Sequence, residues 1–395
     1  MHARRLLIVC LLVAAGVGAG LAMQRAGTAT APSAPPSRLS VARVPESART
    51  PQDTSFGARM LRLSEDGGYF DTDNLISNER SYLHVAEELR ARAGGGAYIG
   101  VGPDQNFAYI ALLRPDVAYI VDIRRDNALE HLLFKALFER ARNRLEYLAL
   151  LTARRVPDDL AGWDDRPLED IVTYLEDAPV DEGRYADLAA DVRARVVRYG
   201  YPVTATDLAR IERFHRAFVD AGMGLRFQSH GRAPQWYYPT FAELLLETDR
   251  AGVGAGAFRT EQDFRLLKRM QREHRIVPVV GDFAGPHALR AVGEELRATG
   301  LPVRAFYASN VEQYLFRQGV FDAFARNLRG LPRTPDAILI RSVFRPRTRN
   351  AVAHTLPGYM SAQMVQPIDS LLARMRSGGY RGYLDLVEHA VLSPR

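Results

Sequence analysis

Five short apolar runs, separated by stretches of helical periodicity, constrain this chain more than any other feature of its sequence. Ala97-Tyr98-Ile99, Val117 to Val121, Ile276 to Val280, Val303 to Tyr307 and Ala337 to Ile340 read as strands. Helical patterns cover Phe107 to Leu113, Asn127 to Tyr147, His287 to Thr299 and Phe321 to Leu328. Such alternation predicts an α/β fold, a mostly parallel sheet with helices on both faces. Val117 to Val121 is apolar throughout, as a strand buried on both sides must be. Residues 150–270 break the rhythm and read mostly as helix, so a helical insertion capping the sheet edge is expected. Its Trp236-Tyr237-Tyr238 cluster is expected to pack within the insertion, with lining of a pocket for a flat substrate as the alternative. Ahead of the first strand, Tyr82, Leu83, Val85, Ala86 and Leu89 mark another helix, with Ser77 or Asn78 as its N-cap.

The N-terminus carries a targeting signal. Arg4-Arg5 precede an apolar run from Leu6 to Ala22, with small residues at Gly20-Leu21-Ala22 where a signal peptidase could cut. About 17 apolar residues is the short edge for a membrane span. Residues 1–25 are therefore either a cleaved signal peptide or an uncleaved membrane anchor, and both place the rest of the chain in the cell envelope outside the cytoplasm. Residues 26–56, rich in Ala, Pro and Ser, read as a flexible linker because they cannot bury enough apolar surface to offset their ordering entropy. Residues 57–395 are assigned to the α/β domain. The one cysteine, Cys10, lies inside the apolar run, so neither an intrachain disulfide nor a cysteine-based zinc site can form. No His-x-x-x-His or Glu-x-x-His pairing points to a metal, and Asp71-Thr72-Asp73-Asn74 lacks the glutamate that would complete a calcium loop. The net charge of +6 is spread along the chain. Its densest basic segment, Arg341, Arg345, Arg347 and Arg349, reads as mixed surface charge and not as a nucleic-acid stripe.

Tyr98-Ile99-Gly100-Val101-Gly102-Pro103-Asp104-Gln105-Asn106 joins a strand to a helix through a glycine turn. Backbone N–H groups and a helix N-terminus there can meet a ribose, carboxylate or phosphate. Asp122 ends the next strand about 20 residues on, where a carboxylate can accept from ribose hydroxyls. The alternative is a tight turn with Asp122 at a loop or cap. Gln105 stands where a dinucleotide fingerprint has its third glycine, which argues against NAD or FAD. No Walker sequence is present. Ser309-Asn310 and Glu312 close the fourth strand, where α/β sheets place ligands and where a buried carboxylate can act as a general base. The alternative is that Ser309 or Asn310 caps the following helix. Arg124-Arg125 either bind an anion beside the cleft or are two exposed arginines at a helix start.

Gly100-Val101-Gly102 and Asp122 resemble the first two cofactor motifs of class I S-adenosylmethionine-dependent methyltransferases. Val279-Val280-Gly281-Asp282-Phe283 resembles their third-strand motif, and Tyr307 to Glu312 the end of their fourth strand. More closely, Ser77-Asn78-Glu79, Tyr98 to Asn106, Val121 to Arg125, Ile276 to Pro286, Ser309 to Phe316 and Arg341-Ser342-Val343 resemble an uncharacterised bacterial family with a methyltransferase-like fold. The resemblance implies a Rossmann-like scaffold binding S-adenosylmethionine or another adenosine-containing small molecule. It implies Gly100, Gly102, Gln105, Asn106, Asp122, Asp282 and Ser309 at the cofactor, with Asn310 and Glu312 near the methyl acceptor. The acidic residue two before the first glycine is Tyr98 here, and Asp104 replaces the third glycine; Asn78, Glu79 or Asp104 would then have to hold the methionine ammonium. Those departures, and export away from the cytoplasm where S-adenosylmethionine is made, favour a second expectation, a non-catalytic envelope module that binds a ligand or protein.

Overall fold

A computed structural model describes residues 54–72, 74–231 and 235–390. The expected signal or anchor and most of the linker lie outside those residues. The first described element is a helix, Thr54–Leu63. Among the described residues no helix is long and apolar enough to cross a membrane.

Six strands build the sheet: β1 (Ala97–Gly100), β2 (Val117–Asp122), β3 (Ile276–Val280), β4 (Val303–Ser309), β5 (Arg333–Phe344) and β6 (Ser361–Pro367). Their order is β3-β2-β1-β4-β5-β6. The first five pair in parallel, and β6 closes the far edge antiparallel to β5. Every residue of β1, β2 and β3 is buried, so both faces of that half of the sheet are covered. Pro278, opposite Ile120, has no N–H for a further partner; it is tolerated because β3 is an edge strand. The fold is thus α/β around one mostly parallel sheet, and all five strands read from the sequence are present.

The sixth was not legible. Gln363 and Gln366 interrupt its apolar pattern, yet both are buried and hydrogen-bonded. The helix expected over Asn127 to Tyr147 is two helices, Arg125–Arg140 and Arg144–Leu151. The break is at Asn143, whose side chain accepts from the Glu146 N–H at 2.9 Å and starts the second helix. Ahead of β1, a 3-10 turn (Arg80–Val85) leads into a short helix (Ala86–Arg90). Neither Ser77 nor Asn78 caps it; Glu79 holds that position, and its side chain points elsewhere.

Between β2 and β3 the chain adds the helices Leu168–Asp177, Glu182–Arg198, Ala205–Ala221, Phe241–Leu245 and Glu261–Arg272. Three of them, Glu182–Arg198, Ala205–Ala221 and Glu261–Arg272, pack on the helix Arg125–Arg140: Phe218 meets Phe134, and Phe264 stacks on Phe138. Trp236-Tyr237-Tyr238 lies in an irregular segment between two of these helices, not in a helix.

Arg341 on β5 is completely buried, against the expectation of surface charge for its segment. Its Nε donates to Glu312 Oε2 at 2.5 Å, and its Nη2 to Glu312 Oε1 at 3.1 Å and Gln366 Oε1 at 2.8 Å. Removing one member would strand a charge in the core, and a stranded buried ion costs about 3–5 kcal/mol. Glu312→Gln is expected to lower unfolding stability by that order in urea titrations. The joint change Glu312→Leu with Arg341→Met should recover most of the loss, since no charge is then stranded.

Candidate functional site

The C-terminal ends of β1 to β4 surround a cavity of about 270 Å³. Its floor is polar, with Glu79, Gln105, Asp122, Asp282, Ser309 and Asn310. Its rim is aromatic: Tyr69, Phe70, Phe227, Tyr237, Tyr238 and Tyr314. The strand order reverses between β1 and β4, since β1 has β2 on one side and β4 on the other. In open α/β sheets the loops part at such a point and leave a crevice. The opening here follows from topology before any side chain is considered.

Glu79 is buried at the bottom of this crevice, and among the described residues no arginine or lysine pairs with it. Its Oε2 accepts from Tyr307 Oη at 2.7 Å, Gln363 Nε2 at 2.8 Å, Gln105 Nε2 at 3.3 Å and the Ser342 hydroxyl. Its Oε1 accepts from the Ser309 hydroxyl. A buried carboxylate is costly unless its lone pairs are filled, and here neutral donors fill them. Burial, and then the Glu79 charge, push the Tyr307 phenol well above its ordinary pKa, so it remains a donor. Ser309 sits at φ 51°, an unfavourable backbone for a residue with a side chain, between the last residues of β4 and the helix Val311–Arg317.

The glycine turn is built differently from the expectation. A methyl group on Gly100 would lie 2.0 Å from Asn106 Oδ1 and 2.5 Å from Tyr98 Oη. Gly100 is therefore needed to let Tyr98 donate to Asn106 at 2.7 Å, not to admit a ligand. Asn106 Nδ2 in turn donates to the carbonyls of Val101, Gly102 and Pro103, and His131 Nε2 holds the Gly102 carbonyl at 2.9 Å. Burial pushes the His131 imidazole down to about 4, so it is neutral at ordinary pH. Tyr98, Asn106 and His131 thus hold the turn rigid from behind, and only Val101, Gly102 and Pro103 face the cavity.

Asp122 lines the cavity, but Arg124 occupies it. Oδ1 accepts from the Arg124 N–H at 2.8 Å and Nε at 3.0 Å, and Oδ2 accepts from Nη2 at 2.8 Å. Arg124 is buried, and Arg125 is held by Asp207 and Tyr201, so neither is the exposed arginine that the sequence suggested. The Asp282 N–H donates to Glu65 Oε1, and Glu65 Oε2 accepts from the His287 and Ala288 N–H groups. Glu65 thereby fills the N-terminus of the helix Ala288–Thr299 with a charge from the chain itself. Asp282 Oδ1 accepts from the Ala284 N–H, while Oδ2 has no partner among the described residues. Asp282 is consequently the acidic group of the floor with most capacity left for a ligand.

The structure brings Asn78, Glu79, Gly102, Gln105, Asp122, Asp282, Ser309 and Asn310 together at one cavity. It does not bring Gly100, Asp104, Asn106 or Glu312 there. Glu312 is turned into the core by Arg341, which removes it as a base for a ligand in the cavity. Asn310 holds the N-cap position of the helix Val311–Arg317 without a side-chain cap hydrogen bond, so its amide is not used by the helix. Sequence reasoning missed Tyr307, Ser342 and Gln363 as partners of Glu79, and Glu65 entirely. Only the Ser77-Asn78-Glu79 block signalled the cage.

The family described as Domain of unknown function (DUF7790) matches residues 74–161 and 242–391. That is more than half of the chain, and the chain belongs to this family. The match covers the whole sheet and every strand end that forms the cavity floor; it leaves out 162–241, which includes Phe227, Tyr237 and Tyr238 of the rim. No curated protein matches the chain.

Asp104, one residue before the helix Gln105–Leu113, faces a void of about 20 Å³ beside Tyr82 and Phe258 instead of the main cavity. Burial pushes its carboxyl up to about 7, partly opposed by its own N–H and that of Gln105, and its Oδ1 has no partner. Between the ordinary carboxylate pKa near 4 and about 7, folded Asp104 keeps a proton that the unfolded chain has released. Stability therefore falls as pH rises through that window and levels off above it. Asp104→Asn is expected to remove this slope. In denaturant titrations it should gain on the order of 4 kcal/mol on the wild type between pH 4 and pH 8; an unchanged gap across that range would refute a protonated Asp104.

Proposed function

We propose that this DUF7790 protein binds an adenosine-containing small molecule, such as S-adenosylmethionine, over the C-terminal ends of its parallel strands. The observation that carries the reading is the cavity at the β1/β4 reversal, with a polar floor and an aromatic rim. A flat base suits the rim, and hydroxyl or amino groups suit Asp282, Asn78 and Asn310. Small-molecule sites commonly enclose about 300–1,000 Å³. The smaller volume here suits a nucleoside better than a long cofactor. The strand order supports a Rossmann-like scaffold, with β6 as its antiparallel departure. The resemblance of the strand-end motifs supports the methyltransferase-like version of that scaffold.

A second reading, binding without methyl transfer, is favoured by specific contacts. Arg124 neutralises Asp122, Glu65 fills the third-strand helix terminus, and Arg341 holds Glu312 away from the cavity. Together these leave a ligand pocket with few groups for chemistry. In this reading the protein is an exported envelope module tethered or released by its N-terminal segment.

Calorimetry and thermal shift with S-adenosylmethionine, S-adenosylhomocysteine and adenosine test the cavity. At least one should raise the melting temperature saturably. Asn78→Ala and Asn310→Ala should each weaken binding by about 1 kcal/mol, the worth of one hydrogen bond, while leaving the ligand-free protein as stable as before. No shift with any of the three at millimolar concentration would sink the adenosine reading. For location, a phosphatase reporter fused behind residues 1–53 is expected to be active in the envelope; activity confined to the cytoplasm would overturn export.

A further inference from the structure

A second and larger cavity, of about 1040 Å³, opens beside the first and shares Tyr237, Tyr238 and Phe344 with it as a common wall. Four arginines line it, Arg317, Arg345, Arg347 and Arg381, against one carboxylate, Asp385. They come from three separated stretches of chain, so the concentration of charge is made by the fold and is only partly visible in the sequence. Asp385 is already engaged by Arg381, 3.8 Å away, and by His389. Arg347 makes no hydrogen bond or ion pair among the described residues. Arg345 is more constrained. Its backbone sits at φ 46°, its Nη2 donates to Gln235 Oε1 at 2.8 Å, and its guanidinium lies over the Tyr237 ring at 5.4 Å. Arg317 stacks in the same manner on Tyr314, a residue of the first cavity's rim, at 5.8 Å. Two of the four cations are thus seated on tyrosines of the first cavity's rim.

We propose that this groove holds the anionic part, a phosphate or diphosphate, of the molecule whose flat part occupies the first cavity. The proposal rests on reading that cavity as a small-molecule site. Guanidinium groups present paired N–H donors that match phosphate oxygens, and stacking on an aromatic ring preorganises them for that contact. The first cavity offers the opposite chemistry, with Glu79 and Asp282 on its floor and Arg124 spent on Asp122. An anion would be repelled there and attracted next door. A ligand with a neutral ring and a charged tail therefore has one orientation across the shared Tyr237–Phe344 wall. The cations are exposed, so their attraction should be screened by salt.

Isothermal titration of the full-length protein at low salt with adenosine, adenosine diphosphate and inorganic pyrophosphate tests this. The diphosphate is expected to bind roughly tenfold or more tightly than adenosine. Pyrophosphate alone should bind saturably, and salt should erase the diphosphate's advantage. The double variant Arg347→Gln with Arg381→Gln, which leaves the cations seated on the rim tyrosines in place, should lose pyrophosphate binding and bring the diphosphate down to the affinity of adenosine, with adenosine itself unaffected. Equal affinity for adenosine and its diphosphate would overturn the proposal and leave the first cavity's assignment standing. Pyrophosphate binding without any adenosine binding would instead remove the first cavity's assignment and leave the arginine groove as an anion site. Binding of a single-stranded oligonucleotide with none of pyrophosphate would overturn it in favour of a polymer surface.

Discussion

The Glu79 carboxylate takes hydrogen bonds from side chains on four elements at once: Gln105 on the helix after β1, Tyr307 and Ser309 on β4, Ser342 on β5 and Gln363 on β6. A carboxylate buried among neutral donors is tolerable only when most of its lone pairs are filled, so each of those elements is held to a particular register. The antiparallel edge strand depends on it directly, because Gln363 reaches both Glu79 and Ser342. So does the strained Ser309, whose hydroxyl is anchored at Oε1. Burial of β6 already opposes a one-residue slip against β5, and the contacts of Gln363 with Glu79 and Ser342 add a polar constraint on the same register.

Around that anchor, several positions where a nucleotide cofactor would make its contacts are served by the chain's own side chains. Asn106 takes the carbonyls of the glycine turn, Arg124 takes Asp122, and Glu65 takes the N–H groups that start the helix Ala288–Thr299. Each satisfies a group that would otherwise be exposed at the sheet's end. The turn is thus rigid without a ligand, and the contacts left over are Asp282, Asn78, Asn310 and the tyrosine rim.

Much of the sheet could be read directly, since Val117 to Val121 and Ile276 to Val280 are apolar runs with no other reasonable state. β6 could not, because its glutamines are buried by partners far away in sequence, Glu79 and Arg341, and hydropathy carries no trace of such pairing. The candidate site was legible in outline for a similar reason. Strand ends and a glycine turn say where a crevice forms, so Gly102, Asp122, Asp282, Ser309 and Asn310 fell at the cavity. They do not say which way a side chain turns. Glu312 sits one helical step past Val311 and points into the core at Arg341, and Asp104 points to the opposite side of its turn from the cavity. Arg341, Arg345 and Arg347 look alike in one segment, yet Arg341 lies in the stretch of β5 that is buried on both faces, while the other two follow the strand's last residue, Phe344, and line a groove.

The division between matched and unmatched sequence follows the same line as the division of labour in the cavity. The family match includes Glu79, its five partners and the strand ends; it omits 162–241, which brings Phe227, Tyr237 and Tyr238 over the opening. Tyr237 and Tyr238 also wall the arginine groove. A rigid floor fixed by a buried carboxylate can keep its geometry while an irregular segment at the rim changes, because none of the described residues of that segment belongs to the sheet. Ligand choice on such a scaffold rests with the loops it carries. On this protein the tyrosines between the two cavities are where an acidic floor and a basic groove meet, so under the proposed reading they would set the size and charge pattern of the ligand.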